Sequence, residues 1–250
     1  MIKTILVSHA PPTDENSPYH TLAKEWNLEF DFHNFVHVEG ISASEFRKQN
    51  INPLDYTAII FTSKQAINHF FRICKDLRIE MPADTKYFCM STTLANYLQK
   101  YIVIRKRKLY IGEKTPADII ALMKKHSKEK FLFPCGDNTS NEITNENSGC
   151  VVKPAIVFQM VPNDLSEVLK KHYDMVCLFS PLGIDALLKS NANLKDSNTL
   201  IAVYGPSTAK AAQEKGLRID VLAPQPDTPS LTMAIENFLK QNYKKEQANL

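Results

Sequence analysis

The chain has 250 residues, of which 44% are hydrophobic and 23% are charged, and its formal net charge is +3. This length accommodates one large domain or two small ones, and the composition is that of an ordinary globular protein. So mild a positive charge does not argue for nucleic acid, which usually needs a concentrated basic face, but it is compatible with a small anionic ligand. No apolar run approaches the roughly 18 residues of a membrane helix, so no membrane partner is expected.

The first residues are interpreted as a strand rather than a signal peptide, because the apolar stretch Met1–Ser8 is followed by Pro11 and Pro12. The five cysteines are odd in number and include no Cys-x-x-Cys pair. This usage indicates buried, reduced thiols rather than a disulfide or zinc framework. A cytoplasmic protein without a metal site is therefore expected.

Strand-like and helix-like segments alternate along the chain. In the first part the predicted segments are, in order, Ile2–Ser8, Tyr19–Trp26, Ala58–Thr62, Lys64–Leu77, Tyr87–Met90, Thr92–Lys100, Lys108–Ile111, Pro116–His126 and Phe131–Pro134. The later part continues with Met175–Phe179, Ile184–Leu188, Leu200–Tyr204, Thr208–Lys215 and Ser230–Gln241. Strands followed by helices of this length predict an α/β protein with parallel sheets and helices on both faces.

An internal repeat relates the two parts of the chain. Three short segments recur in the same order, each where a strand gives way to a helix. The matched pairs are Ser63 with Ser180, Thr93 with Thr208, and Thr115 with Thr228, at offsets of 117, 115 and 113 residues. Three ordered matches with a small, regular drift indicate duplication of one βαβα unit.

The repeat predicts two domains that do not divide the chain at its middle. A strand and a helix precede the first repeat, so residues 1–29 and 164–250 are expected to form one discontinuous domain. Residues 43–149 are expected to form a second domain, inserted into the first. The flanking segments 30–42 and 150–163 are extended, apolar and aromatic, and they are expected to pair as a two-stranded β connector.

Hydroxyl residues mark the predicted ends of strands in both repeats. Ligands of open parallel sheets bind at the carboxyl ends of the strands, and the start of a helix suits a carboxylate or phosphate. The residues expected both to cap a helix and to face a shared anionic ligand are Ser63, Thr93, Ser180 and Thr208. Helix capping alone is the structural alternative.

Several motifs together resemble the uroporphyrinogen-III synthase family. The matching segments are Phe61-Thr62-Ser63, Leu132–Asp137, Phe179-Ser180-Pro181-x-Gly183, Gly205–Ala209, Gly216-Leu217, Ala223-Pro224 and Thr228-Pro229. The resemblance covers nearly the whole chain in the right order. It implies two flavodoxin-like parallel-sheet domains joined by a two-stranded β connector, with the second domain inserted into the first.

The resemblance also implies a function. The chain would be a monomeric, cofactor-independent hydro-lyase of porphyrin and heme biosynthesis that cyclises hydroxymethylbilane to uroporphyrinogen III. The reaction would lose water and invert ring D in the cleft between the domains, through positioning and electrostatics. The residues expected to bind the substrate are Ser63, Thr93, Ser180, Gly205, Ser207, Thr208 and His9.

Two positions depart from the family pattern. His9 stands where the family often has Arg, and Phe158 stands where the family commonly has a Tyr proposed as proton donor. Tyr204, directly before Gly205, is the substitute donor suggested here, and packing alone is the alternative for that side chain. Because of these departures, two other functions stay open. One is a catalytically weakened homologue that binds a tetrapyrrole or other small polyanion, and the other is a two-domain binding protein for a different small anion.

Overall fold

The structure is a computed structural model that describes residues 2–103, 105–138, 143, 145–190 and 198–248, with side chains to residue 242. The chain forms two compact units. Unit 1 comprises Met1–His37 and Val161–Leu250, and unit 2 comprises Val38–Met160. Each unit contains one predominantly parallel sheet with helices, which confirms the predicted α/β class with two parallel-sheet domains.

The strands of the described residues are, in chain order, β1 Thr4–Val7, β2 Glu29–Phe32, β3 Val36–Gly40, β4 Ala58–Phe61, β5 Lys86–Cys89, β6 Leu109–Ile111, β7 Lys130–Gly136, β8 Val151–Pro162, β9 Met175–Leu178, β10 Leu200–Tyr204 and β11 Val221–Ala223. The α-helices are α1 Pro18–Trp26, α2 Ala43–Lys48, α3 Lys64–Asp76, α4 Thr92–Leu98, α5 Pro116–Lys125, α6 Asn145–Ser148, α7 Pro181–Ser190, α8 Pro206–Glu214 and α9 Leu231–Ala248.

The sheet of unit 1 has the spatial order β2-β1-β9-β10-β11. All of its neighbouring strands are parallel. Counted within the unit, this order is second-first-third-fourth-fifth, which is the flavodoxin-like order that the sequence predicts.

The sheet of unit 2 has the order β3-β8-β7-β4-β5-β6, and β4 to β8 are mutually parallel. Strand β3 lies at the edge, beside β8. The amide of Ile41 donates to the carbonyl of Val157, and the amide of Asn163 donates to the carbonyl of Phe35. Since the partner number falls as the residue number rises, β3 and β8 are antiparallel.

The two units are circular permutations of one five-stranded sheet. Strands β9, β10 and β11 are adjacent in unit 1 as β4, β5 and β6 are in unit 2, in agreement with the repeat in the sequence. Strands β1 and β2 extend the first sheet where β7 and β8 extend the second. The pair β1-β2 comes before β9, β10 and β11 in the chain, whereas β7-β8 comes after β4, β5 and β6. The two units therefore form the same five-stranded arrangement, but their additional strand pairs come from opposite ends of the repeat.

The segments expected to form only a connector also belong to the two sheets. Residues 30–32 lie in β2, which pairs with β1 from Thr4–Glu29 to Val7–Phe32. This edge position packs Phe30 and Phe32 against the ring of Tyr19. Later residues of the same segment form β3. In the second segment, β8 pairs with β7 over the length of β7, from Lys130–Val151 to Gly136–Phe158. The chain passes between the units at residues 37–38 and 160–161, within β3 and β8.

Hydrophobic clusters lie on both faces of each sheet, because parallel strands are covered by helices on both sides. In β4, Ile59 and Phe61 belong to one cluster, whereas Ala58 and Ile60 belong to the other, and all four residues are fully buried. The five cysteines are buried and free of disulfides, as the sequence predicts.

Candidate functional site

Two serines matched by the repeat cap the first helix of each repeat. The hydroxyl of Ser63 accepts a hydrogen bond from the amide of Ala66 at 3.1 Å. The hydroxyl of Ser180 accepts from the amide of Gly183 at 3.0 Å. Both side chains are half-buried at the carboxyl end of a strand. The repeat therefore marks the same structural position in both units, at the start of α3 and of α7.

Two other expected caps are wrong. Helix α4 is capped by Ser91, whose hydroxyl accepts from the amide of Leu94 at 3.3 Å, and Thr93 is exposed within the first turn. Helix α8 begins at Pro206 after Gly205, which has a φ of 90° and supplies no side-chain cap. The fixed φ of a proline suits the first position of a helix, so Thr208 lies at the third position of the first turn, only 1% exposed.

Three of the predicted site residues, His9, Ser180 and Tyr204, lie together at the carboxyl ends of β1, β9 and β10, here called the unit 1 edge. The ring of Phe179 lies 4.8 Å from the ring of His9 and 5.7 Å from the ring of Tyr204. Ser180 follows Phe179 directly, and the Phe179 amide donates to the hydroxyl of Ser8 at 3.3 Å. Phe179 thus connects the predicted ligand His9 to the predicted donor Tyr204.

Hydrogen bonds hold both nitrogens of the His9 ring. Its Nδ1 lies 2.7 Å from the carbonyl oxygen of Ala10, which can only accept, so Nδ1 carries a hydrogen. Its Nε2 lies 3.3 Å from the hydroxyl of Tyr19. Burial, with a smaller contribution from Cys177, raises the pKa of Tyr19, so this phenol stays protonated. The two contacts fix the orientation of the imidazole at the unit 1 edge.

The start of α8 adds an accessible polar surface to the unit 1 edge. The ring of Tyr204 is 37% exposed, and Ser207 is exposed at the second position of the helix. A groove of about 420 Å³ runs beside this helix, lined in part by Gly205, Lys210 and Pro224. Free amides at a helix start, together with the cation of Lys210, favour an anionic ligand.

The carboxyl ends of the strands in unit 2, here called the unit 2 edge, carry both signs of charge. Thr115 caps α5 in a capping box with Asp118, and these hydrogen bonds hold the pKa of the Asp118 carboxyl below its usual range. The ammonium group of Lys64 lies 5.4 Å from the centre of the Tyr97 ring. Asp137 follows β7, and its carboxylate accepts from the amide of Met160 at 3.3 Å. This edge is less suited to a polycarboxylate than the unit 1 edge.

Phe158, at the position of the family tyrosine, packs within unit 2. A Cβ built on Gly136 would lie 2.5 Å from Cε2 of the Phe158 ring, so the ring rests on the backbone of β7. On the other side, the ring of His69 lies 5.8 Å away. The half-buried ring of Phe158 therefore fills a space that requires a glycine at position 136.

The imidazole of His69 has an unsatisfied nitrogen. Its Nδ1 is buried beside Gly40 and is without a hydrogen-bond partner in the described part of the chain. Burial, reinforced by the charge of Arg72, holds the pKa of His69 below its ordinary value of 6.5. His69 is therefore neutral in the folded protein at pH 7.

We expect His69→Phe to flatten the acid dependence of stability. As the pH falls through 6.5, the unfolded chain binds a proton at His69 that the folded chain does not bind. The contribution of His69 to the free energy of unfolding is thus fully present above pH 6.5 and declines below it. Urea unfolding across this range measures the effect, and the exposed His20→Gln is the control. An unchanged pH slope in His69→Phe contradicts the assignment.

The structure assigns site contacts to three residues for which the sequence predicted none, Phe179, Ser91 and Tyr19. Phe179 and Ser91 directly follow strands, so strand ends were the signal that could have identified them. The contact between Tyr19 and His9 depends on how α1 packs, and nothing in the local sequence indicates it. Within the described residues, no three His, Cys, Asp or Glu side chains are grouped as metal ligands, and no helix is long and apolar enough to cross a membrane.

The chain matches one family model and is similar to several solved structures. The family model described as "Uroporphyrinogen-III synthase HemD" matches residues 30–233. A mutant uroporphyrinogen III synthase from the extremely thermophilic bacterium Thermus thermophilus has 13% sequence identity and a TM-score of 0.48, over 96% of this chain and 99% of that chain. A further structure of Thermus thermophilus uroporphyrinogen III synthase has 14% identity and a TM-score of 0.43, over 95% and 99% of the two chains.

Proposed function

We propose that this chain, which belongs to the uroporphyrinogen-III synthase HemD family, is a cofactor-independent hydro-lyase that cyclises hydroxymethylbilane to uroporphyrinogen III with inversion of ring D and loss of water. The observation that carries the proposal is the unit 1 edge, where the starts of α7 and α8 lie beside Tyr204 and His9. A polycarboxylate substrate and a positive helix start are complementary in charge. The expected location of the reaction, between the two domains, stays a prediction.

The residues of the unit 1 edge divide into two roles in this proposal. Ser180, Ser207 and the amides of the first turn of α8 hold substrate carboxylates, and His9 binds another carboxylate. The amide of Gly205 donates to the carbonyl of Ala223 instead, so Gly205 shapes the turn before the helix. Ser63 and Thr93 serve the same purpose at the unit 2 edge. Holding a flexible polyanion in one conformation supplies the positioning that ring closure requires.

Tyr204 is the proposed proton donor. The bond between the hydroxymethyl carbon and its oxygen breaks, the phenolic proton of Tyr204 passes to the leaving oxygen, and water is released. A ring D carbon attacks the electrophilic methylene carbon of the remaining cation, and ring D inverts through a spiro intermediate. The proton that is lost when the pyrrole rings are restored returns to the Tyr204 phenolate. Phe158 cannot supply this proton because it has no hydroxyl group.

A direct assay tests the function. Freshly prepared hydroxymethylbilane is incubated with the protein, and the uroporphyrinogen isomers are separated after oxidation. The proposal predicts isomer III in excess of the isomer I that forms spontaneously. Isomer I alone, with binding of the tetrapyrrole still detectable, would indicate the weakened homologue that binds a tetrapyrrole or other small polyanion. The absence of a hydroxyl at Phe158 is the observation that favours this second function.

We expect the activity to survive chelators and to need no added cofactor. The proposed chemistry uses side chains and helix starts alone. Turnover measured before and after EDTA treatment and desalting checks this expectation. Loss of activity that zinc or magnesium restores would contradict it. The protein is proposed to act as a cytoplasmic monomer.

Ser207→Ala is expected to raise KM about tenfold, since a hydrogen bond to a charged ligand is lost. Its melting temperature should change little, because Ser207 is exposed and is not the cap of α8. Thr208→Val is the matched control, since it removes a buried hydroxyl in the same turn. If Thr208→Val raises KM and Ser207→Ala does not, the ligand contact belongs to Thr208.

A further inference from the structure

The charge of the chain is divided unequally between the two units. Unit 2 contains 18 Lys and Arg against 12 Asp and Glu, a net charge of +6, whereas unit 1 contains 12 against 15, a net charge of −3. The whole-chain value of +3 is the sum of these two charges and conceals the difference between the units. Charge asymmetry of this kind points to an anionic partner for one unit.

The basic residues of unit 2 concentrate where its strands begin and its helices end. Arg105, Lys106 and Arg107 are exposed between α4 and β6, and Lys124, Lys125 and Lys128 are exposed between α5 and β7. None of these six forms an ion pair with a described residue, whereas Lys86 pairs with Glu129 and Lys108 pairs with Asp84. This basic edge is the end of the sheet opposite the unit 2 edge.

An exposed aliphatic side chain lies just before the first group of cations. Val103 is fully exposed, whereas the ring of Tyr101 stacks on Phe71 at 5.0 Å. A shallow groove of about 260 Å³ lies beside Val103, lined by Met81, Pro82 and Ile102 and bordered by Arg105. A fully exposed aliphatic side chain next to three cations that form no ion pair with a described residue has no role in packing the unit.

We propose that the basic edge of unit 2 docks on an anionic lipid membrane. Lys and Arg near a membrane are attracted to negatively charged headgroups, and adjacent apolar side chains enter the boundary between headgroups and acyl chains. The cations of the basic edge supply the first element, and Val103 supplies the second. A nucleic acid would use the cations but would leave Val103 without a function. The interaction goes beyond the proposed catalysis, since the basic edge contains none of the residues proposed to bind substrate.

Co-sedimentation with lipid vesicles tests the proposal on the full chain. Binding is expected to vesicles that contain phosphatidylglycerol and to be absent from vesicles of phosphatidylcholine alone. Because the attraction is electrostatic, rising salt should weaken it. Single-stranded RNA added as a competitor measures the alternative of a soluble polyanion.

The triple variant Arg105→Gln, Lys106→Gln, Arg107→Gln is expected to bind anionic vesicles about 100-fold more weakly. Val103→Ser should weaken binding about tenfold without a change of charge. The matched control removes three cations of unit 1 through Lys24→Gln, Lys170→Gln and Lys240→Gln, and it should bind nearly as well as the wild type. All variants should keep the melting temperature and the isomer III activity of the wild type, because the altered residues are exposed and none of them is among the residues proposed to bind substrate.

Three results would overturn the proposal. The first is no binding, or equal binding to neutral and anionic vesicles. The second is an equal loss in the unit 1 control, which would show a dependence on total charge alone. The third is displacement by RNA combined with an unchanged affinity in Val103→Ser, which would identify a nucleic acid as the occupant of the basic edge.

Discussion

Tyr204→Phe is expected to lower kcat for uroporphyrinogen III formation by about 100-fold, at the lower end of the contribution of a general acid. The substitution removes only the phenolic hydroxyl and keeps the ring contact with Phe179, so the melting temperature should change little. Substrate binding should also be preserved, which places the loss in kcat rather than in KM. Tyr110→Phe is the control, since the Tyr110 hydroxyl bonds the carbonyl of Arg107, outside both strand edges that carry site residues.

The same hypothesis predicts a coupling with position 158. Phe158→Tyr restores the hydroxyl of the family pattern and is expected to raise turnover severalfold. In the Phe158→Tyr background, Tyr204→Phe should lower turnover less than in the wild type, because the phenol at position 158 can then supply the proton. Kinetics of the two single variants and of the double variant measure this coupling. If Tyr204→Phe leaves kcat intact in both backgrounds, Tyr204 is not the donor.

Gly136→Ala is expected to destabilise the protein by about 1–3 kcal/mol, the usual range for overpacking. The new Cβ would lie 2.5 Å from the Phe158 ring, so either the ring or the backbone of β7 must move. Urea unfolding of the variant measures the loss. The substitution tests whether Phe158 has the packing role that the structure assigns to it.

A second variant decides which group accommodates the strain. In the Phe158→Leu background the clash with the ring is absent, so Gly136→Ala should cost much less there than in the wild type. An equal cost in both backgrounds would contradict the assignment, because the loss would then come from the backbone at position 136. If the packing role holds, Phe158→Tyr must place its hydroxyl without disturbing Gly136, and the stability of that variant should be measured beside its turnover.

Local sequence patterns predicted most of the elements that carry the candidate site. Strand β10 has the bounds predicted from its apolar run, and α3 and α5 end within one residue of their predicted ends. The repeat placed Ser63 and Ser180 at equivalent helix starts because capping depends on neighbouring residues only. The same repeat misplaced Thr93 and Thr208, since the exact first residue of a helix depends on where the preceding strand leaves the sheet.

The amino-acid sequence by itself determined the α/β class, the duplication and the hydroxyl-rich helix starts, because periodicity and capping are properties of adjacent residues. Only the tertiary structure decided that β1-β2 and β7-β8 complete the same sheet from opposite ends of the repeat. Only packing brought His9 and Tyr204 to the ring of Phe179, and it alone placed Arg105–Arg107 at the same end of the sheet as Lys124, Lys125 and Lys128. Strand order and contacts across a sheet join residues far apart in the chain, so no local pattern encodes them.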